Sequence, residues 1–235
     1  MDDTILQIRL HKRRGVEILS SGTTGDPKTV WRSPENLKAC NEVAIDVQKI
    51  TPDSKIYTCT KMDHAGGLLL QTLPAYTLGC DIEISTFNPF TFLKDFQNYT
   101  HTFLPPKMCQ AVMKTKGFAT CGLNGKTIAM GSDPISYTEI KAFVSKGATV
   151  IANWGMSEVG PTAINITFKH MWHVKETKFL TPKGYTILGD TSYCSWRLSD
   201  ELEIKGDISI TPNEWLKTGD IVKNKSKILW YSGRK

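Results

Sequence analysis

Short apolar runs separated by amphipathic stretches organise the first two thirds of the chain. Runs at 55–59, 81–84, 102–104, 127–130 and 149–152 predict strands, and a further short apolar run occupies 16–19. Between them, Ser33, Pro34 and Glu35 supply a cap, a proline at the first helical position and an acidic first turn. That predicts a helix to about residue 50. Residues 89–99, 105–116 and 136–146 also predict helices, the last closed by Gly147. Strand alternating with helix predicts an α/β fold with a mostly parallel sheet flanked by helices. Beyond Gly160 the pattern changes to short alternating segments at 163–168, 201–205, 207–211 and 227–231. These predict a small antiparallel or barrel-like β-rich portion. The expected organisation is an α/β core over residues 1–160 and a β-rich subregion over 161–235, in one compact body.

Composition narrows the class. The chain has 235 residues, 40% hydrophobic and 22% charged, a balance suited to a globular protein with a sizeable core. No apolar run approaches the roughly 18 residues of a membrane span. The start, Met1-Asp2-Asp3-Thr4, is acidic and unlike a secretory signal. Six scattered cysteines with no Cys-x-x-Cys pair predict a reducing, cytoplasmic setting. The net charge of +6, with a cluster at Arg9, His11, Lys12, Arg13 and Arg14, favours anionic partners such as nucleotides or coenzyme A. No aromatic residues interleave with that cluster, so nucleic acid is not an expected partner.

Candidate chemistry concentrates in three segments. Ser20-Ser21-Gly22-Thr23-Thr24-Gly25-Asp26-Pro27-Lys28 offers glycines, hydroxyls and a cation to one anion, the makings of a polyphosphate cradle. It is not a Walker A loop, since no Gly-Lys-Ser/Thr closes it. By itself the segment also reads as an ordinary Gly/Ser/Thr-rich surface turn. Trp154-Gly155-Met156-Ser157-Glu158 follows the strand at 149–152, where open α/β sheets place their sites. It brings a flat ring for a base, a hydroxyl for phosphate and a hard oxygen ligand for Mg²⁺. Trp215-Leu216-Lys217-Thr218-Gly219-Asp220 puts a carboxylate after a glycine turn, suited to ribose hydroxyls.

These three segments, in this order, closely resemble the acyl-adenylate-forming superfamily, which includes acyl-CoA synthetases, peptide-synthetase adenylation domains and firefly luciferase. Its phosphate loop, Ser-Ser/Thr-Gly-Thr-Thr-Gly-x-Pro-Lys, matches Ser20 through Lys28. Its Tyr-Gly-x-Thr-Glu matches 154–158 with Trp154 for tyrosine and Ser157 for threonine. Its Trp/Tyr-x-x-Thr-Gly-Asp matches 215–220. His64-Ala65-Gly66-Gly67, Gly131-Ser132-Asp133-Pro134, Glu201 through Gly206 and Trp230 through Arg234 resemble further family segments.

The resemblance implies that Ser20, Ser21, Gly22, Thr23, Thr24, Gly25 and Lys28 grip the ATP phosphates. Glu158 would hold Mg²⁺ and Ser157 would touch the α-phosphate, giving Lys28, Ser157 and Glu158 the catalytic roles. Gly131, Ser132, Asp133, Asn153, Trp154 and Gly155 would line adenine, and Asp220 with Arg234 the ribose. His64, Gly66, Gly67 and Met156 would border the carboxylate substrate. The implied reaction is attack of a small carboxylic acid on the ATP α-phosphorus, giving acyl-AMP and pyrophosphate. Such chemistry runs on positioning and charge neutralisation without a nucleophilic side chain. Coenzyme A is an implied acyl acceptor, with a carrier protein as another.

The chain departs from the pattern in extent. Only residues 1–19 precede the phosphate loop, where family members carry a large subdomain. Lys235 falls inside the hinge motif, ahead of the family's mobile C-terminal domain and its catalytic lysine. The expectations are a compact adenylating core that needs a separate C-terminal domain, and a homo-oligomer covering exposed core surface. A module that binds nucleotide or acyl-adenylate without efficient turnover is the alternative. His170 and His173, three apart with no third ligand, are assigned no metal.

Overall fold

The computed structural model describes residues 13–19 and 28–235. Its centre is a six-stranded sheet built from β3 (Lys55–Thr58), β4 (Asp81–Ile84), β5 (His101–Leu104), β6 (Thr127–Met130), β7 (Thr149–Met156) and β8 (Gly160–Phe168). The spatial order is β4-β3-β5-β6-β7-β8; the first five strands run parallel and β8 returns antiparallel to β7. Ahead of the sheet, β1 (Val16–Leu19) and β2 (Thr29–Arg32) form an antiparallel pair. Two three-stranded antiparallel sheets follow it. One joins β10 (Ser195–Leu198), β11 (Leu202–Lys205) and β12 (Leu216–Lys217); the other joins β13 (Asp220–Lys225), β14 (Ile228–Arg234) and β9 (Thr186–Gly189). The α/β class with a small β-rich portion is therefore the observed one. The 160/161 division falls within the β7–β8 hairpin, and the large sheet continues to Phe168.

Helix α1 (Pro34–Gln48) begins as its sequence dictates. Ser33 Oγ accepts from Asn36 N at 3.2 Å, Pro34 occupies the first turn, and Lys49 closes the helix in a left-handed conformation, φ 56°. A cap of this kind is worth about 1 kcal/mol. The apolar pattern gives no sign of the helical stretch α2, made of Ala65–Gly67, a π-turn Leu68–Thr72 and Leu73–Leu78. Leu68, Leu69 and Leu70 are all buried, so this stretch shows no polar face to reveal its period. The other helices are α3 (Phe92–Asp95), α4 (Pro106–Met113), α5 (Lys116–Thr120), α6 (Tyr137–Ser145) and α7 (Met171–Leu180).

Three expectations change. The helix expected at 89–99 shrinks to Phe92–Asp95 plus a 3-10 turn Phe96–Asn98, because Asn88 holds the residues ahead of Phe92 in a turn: its Oδ1 accepts from Phe90 N at 3.0 Å and its carbonyl from Phe92 N at 2.9 Å. The helix expected at 105–116 stops at Met113 and restarts at Lys116. Residues 207–211 form turns, not a strand, because Asn36, Arg32 and Glu158 claim their backbone groups.

Two apolar clusters hold the layers together. One gathers Phe92, Phe96, Val112, Phe118, Phe143 and Val174, from α3 through α7, against sheet residues such as Ile128 and Val150. The other packs Val43, Ala44 and Val47 of α1 with Phe103, Ile151 and Trp154 and with Leu202 and Ile204 of the small sheet. The second cluster therefore ties the β-rich portion to the strand that carries the Trp154 motif.

Candidate nucleotide site

Parallel strands deliver their carboxyl ends to one edge of a sheet, and β6 and β7 do so side by side. After β6 the chain turns through Gly131–Pro134. A Cβ on Gly131 would lie 2.5 Å from the Asn153 carbonyl oxygen, so only glycine lets the turn lie against β7. Ser132 has φ +77°, an uncommon conformation for a residue with a side chain. The following helix α6 fixes this turn from below through a capping box. Ser136 Oγ accepts from Thr138 N, and Ser136 N donates to Glu139 Oε2 at 3.0 Å. Gln110 of α4 adds a 2.8 Å bond to Glu139 Oε1.

Strand β7 runs further than the sequence pattern indicates, to Met156, with a bulge between Trp154 and Met156. The bulge re-aims Trp154, whose indole Nε1 donates to Asp220 Oδ2 at 2.8 Å. Asn153 is held beside it, its Oδ1 accepting from Thr162 N at 2.6 Å.

Asp220 opens β13 opposite Arg234 of β14. The Arg234 Nε stands 3.7 Å from Asp220 Oδ1, and Arg234 Nη2 donates to the Thr218 carbonyl at 3.1 Å. Thr218 braces the turn, donating to the Leu202 carbonyl at 2.8 Å and accepting from Asp220 N at 3.1 Å. Gly219, at φ +78°, lets the chain turn under Arg234. Burial pushes the Asp220 pKa up, while the Trp154 bond and the Arg234 charge pull it partly back.

A cavity of about 380 Å³ lies between these segments. It is lined by Ser132, Asp133, Asn153, Trp154, Gly155 and Met156 on one side and by Asp220 and Arg234 on the other. Residues far apart in sequence, Ser132 and Arg234 among them, thus face one space. Ile187 and Leu188, which carry no motif signal, add apolar wall together with Tyr231.

His64 meets this group indirectly. Its Nδ1 accepts from Gly66 N at 3.1 Å, which leaves Nε2 to face Ser132 Oγ at 3.4 Å. Burial lowers its pKa, favouring the neutral ring. Gly66 and Gly67 are packing residues: a Cβ would come 2.3 Å from the Phe103 ring at one and 2.2 Å from the Lys61 carbonyl oxygen at the other. Neither lines the cavity.

Ser157 and Glu158 sit beyond the cavity lining, on the β7–β8 turn. That turn is held by the Val159 N bond to the Met156 carbonyl at 3.0 Å and by Ile210 N donating to the Glu158 carbonyl at 2.9 Å. Arg32, which no sequence motif singles out, donates from Nη1 to the Ser157 carbonyl. Lys28 is exposed at the entry to β2. Ser20, Ser21, Gly22, Thr23, Thr24 and Gly25 lie outside the described residues.

Among the described residues no three His, Cys, Asp or Glu converge as a metal-binding group. Glu158 brings one carboxylate to the β7–β8 turn. That donor set fits Mg²⁺, which takes one or two carboxylates and completes its shell with phosphate oxygens and water. Among the described residues no helix is long and apolar enough to cross a membrane.

Residues 16–190 match the family model described as "AMP-binding enzyme". An acyl-CoA synthetase, FUM10, of Gibberella moniliformis is 27% identical over 152 residues, covering 62% of this chain and 27% of its own. An indoleacetate–CoA ligase of Aromatoleum aromaticum is 28% identical over 153 residues, covering 61% and 29%. O-succinylbenzoate coenzyme A synthetase from Bacillus subtilis, solved in complex with AMP, superposes with a TM-score of 0.76 at 18% identity, over 93% of this chain and 49% of that one. The chain spans less than a third of the length of these two curated relatives and about half of that structural neighbour. With the family model matched over most of its length, the chain belongs to the AMP-binding enzyme family.

Proposed function

We propose that this chain binds Mg-ATP and transfers its adenylyl group to a small carboxylic acid, giving acyl-AMP and pyrophosphate. The observation that carries the reading is the convergence of Trp154, Asp220 and Arg234 with the Gly131–Pro134 turn on one cavity. In this reading the Asp220 carboxylate accepts from the ribose hydroxyls through Oδ1, since Oδ2 is taken by Trp154. The Trp154 ring forms the cavity wall against adenine, with Asn153 and Gly155 beside it.

Ser157 and Lys28 contact the phosphates together with Ser20–Gly25. Glu158 holds the Mg²⁺ ion, which when bound neutralises phosphate charge. The neutral His64, whose Nε2 faces Ser132 Oγ, borders the carboxylate substrate together with Met156. No residue forms a covalent bond; the protein orients the carboxylate and the α-phosphorus and offsets developing charge.

The acyl group then passes to coenzyme A or a carrier protein. The two curated relatives are named as an acyl-CoA synthetase and a CoA ligase, which supports that acceptor class. A cytoplasmic setting belongs to the same reading, and all six cysteines are free thiols.

Pyrophosphate release with Mg-ATP and a panel of carboxylic acids tests the reading. Release with at least one acid, abolished in Lys28→Ala and Glu158→Gln, is the expected result. Nucleotide binding with no release under any acid, even with an added C-terminal domain, would leave a binding module in place of an enzyme.

A further inference from the structure

Strand β2 exposes its tryptophan and buries its arginine. Trp31 is 54% exposed, whereas Arg32, its neighbour, is fully buried. Among the described residues the Arg32 guanidinium has no carboxylate partner. Nη1 donates to the Ser157 carbonyl; Nη2 donates to the Ile208 carbonyl at 2.8 Å and to Cys40 Sγ at 2.8 Å; Nε has no partner. Burial pushes the Cys40 thiol up, so it stays neutral, and its Sγ donates to the Ile208 carbonyl at 3.6 Å. A buried cation held only by neutral acceptors is costly unless something offsets its charge.

The place of this cation is specific. Arg32 ends the strand that follows Lys28, and its first contact is the backbone of Ser157, one residue before Glu158. The segment 207–210 completes the node. Asn36 donates to the Asp207 and Ser209 carbonyls at 2.8 and 2.9 Å, and Ile210 N donates to the Glu158 carbonyl. Gly160 makes room: at φ +92° a Cβ would lie 2.6 Å from Cys40 Sγ and 3.2 Å from Arg32 Nη2.

We propose that Arg32 is a positioning residue for the metal–polyphosphate end of the site. Its fork fixes the Ser157 carbonyl and so sets the direction of the Ser157 hydroxyl and the Glu158 carboxylate. Its charge, which has no carboxylate partner among the described residues, lies beneath that turn and favours a polyanion arriving above it, since a buried charge is weakly screened. This rests on the Mg-ATP reading above. The effect is confined to the phosphate end, because Arg32 makes its hydrogen bonds to Ser157, Ile208 and Cys40 and does not line the cavity of Asn153, Trp154 and Asp220.

The test compares Mg-ATP with adenosine, by calorimetry, in the wild-type chain and in Arg32→Met and Arg32→Lys. Expected is a loss of Mg-ATP affinity of about tenfold or more in Arg32→Met, the scale of a lost charge-assisted hydrogen bond. Arg32→Lys should fall between, with a raised Mg²⁺ requirement for pyrophosphate release, and adenosine affinity should stay within about twofold. Equal losses for both ligands, or none for either, would overturn the assignment and reduce Arg32 to a structural brace. Should the variants not fold, the Arg32 guanidinium resonances of the wild-type chain decide the same question. They should shift on adding Mg-ATP and not adenosine; no shift with Mg-ATP overturns the proposal. A wild-type chain that binds neither ligand would sink the Mg-ATP reading itself, and this assignment with it.

Discussion

The indole N–H of Trp154 donates a 2.8 Å hydrogen bond to Oδ2 of Asp220, joining the end of the large sheet to the start of β13. Both groups are more than nine-tenths buried, so the bond fixes a carboxylate that water barely reaches. Trp154→Phe keeps an aromatic ring, smaller than the indole, and removes the donor. It should cost about 1–3 kcal/mol of stability in a urea titration, the range for a bond to a buried charged group. It also removes an influence that lowers the Asp220 pKa. In the proposed function nucleotide affinity requires the ionised carboxylate, so it should fall as pH drops through that raised pKa. In Trp154→Phe the fall should begin at a higher pH than in wild type, measured by AMP titration across the acid range.

Gly131→Ala addresses the opposite wall. The new methyl would meet the Asn153 carbonyl oxygen at 2.5 Å, a backbone atom that cannot swing aside as a flexible side chain would. Overpacking of this kind costs about 1–3 kcal/mol. Because the displaced group lines the cavity, AMP affinity should fall along with the melting temperature.

Ser136→Ala probes how that turn is held. It deletes one half of the capping box while leaving Glu139 tied to Gln110. The expected cost is about 1 kcal/mol, read from chemical denaturation.

Two histidines contribute to the upper part of the acid limb of stability. Burial lowers the pKa of both His101 and His64. A base whose folded pKa lies below its unfolded value favours folding in its neutral form. Its contribution is complete above the unfolded value of about 6.5 and is lost as pH falls below it. His101 donates from Nε2 to the Gln48 carbonyl at 3.1 Å, linking β5 to the end of α1. His101→Asn should flatten the decline in melting temperature between about pH 6.5 and pH 5.5.

The features legible in the sequence are those with a local cause. The Ser33–Glu35 cap, the alternation of strand and helix, and the order of the Trp154–Glu158 and Trp215–Asp220 segments each rest on a few adjacent residues. What escapes depends on distant partners. Arg32 follows Val30 and Trp31 in a short alternating strand, where a charged residue reads as solvent-facing; its burial is decided by Ser157 and Ile208, more than a hundred residues away. Residues 207–211 alternate like a strand, yet Asn36 and Arg32 take their carbonyls and hold them in turns. Met171–Leu180 is not legible as a helix because it buries only Val174 and Thr177 fully and leaves Trp172 and Phe179 facing outward, blurring its apolar stripe. Likewise, β7 passes beyond Ala152 because β8 pairs with it, a partner invisible in the strand itself.

The most direct test of the nucleotide site is calorimetric titration of AMP into the wild-type chain and into Asp220→Ala. AMP should bind the wild type at one site per chain, and Asp220→Ala should weaken binding by about tenfold or more while the fold persists. Equal affinity in the two proteins, or no binding to a folded wild type, would contradict a nucleotide site built on Trp154 and Asp220.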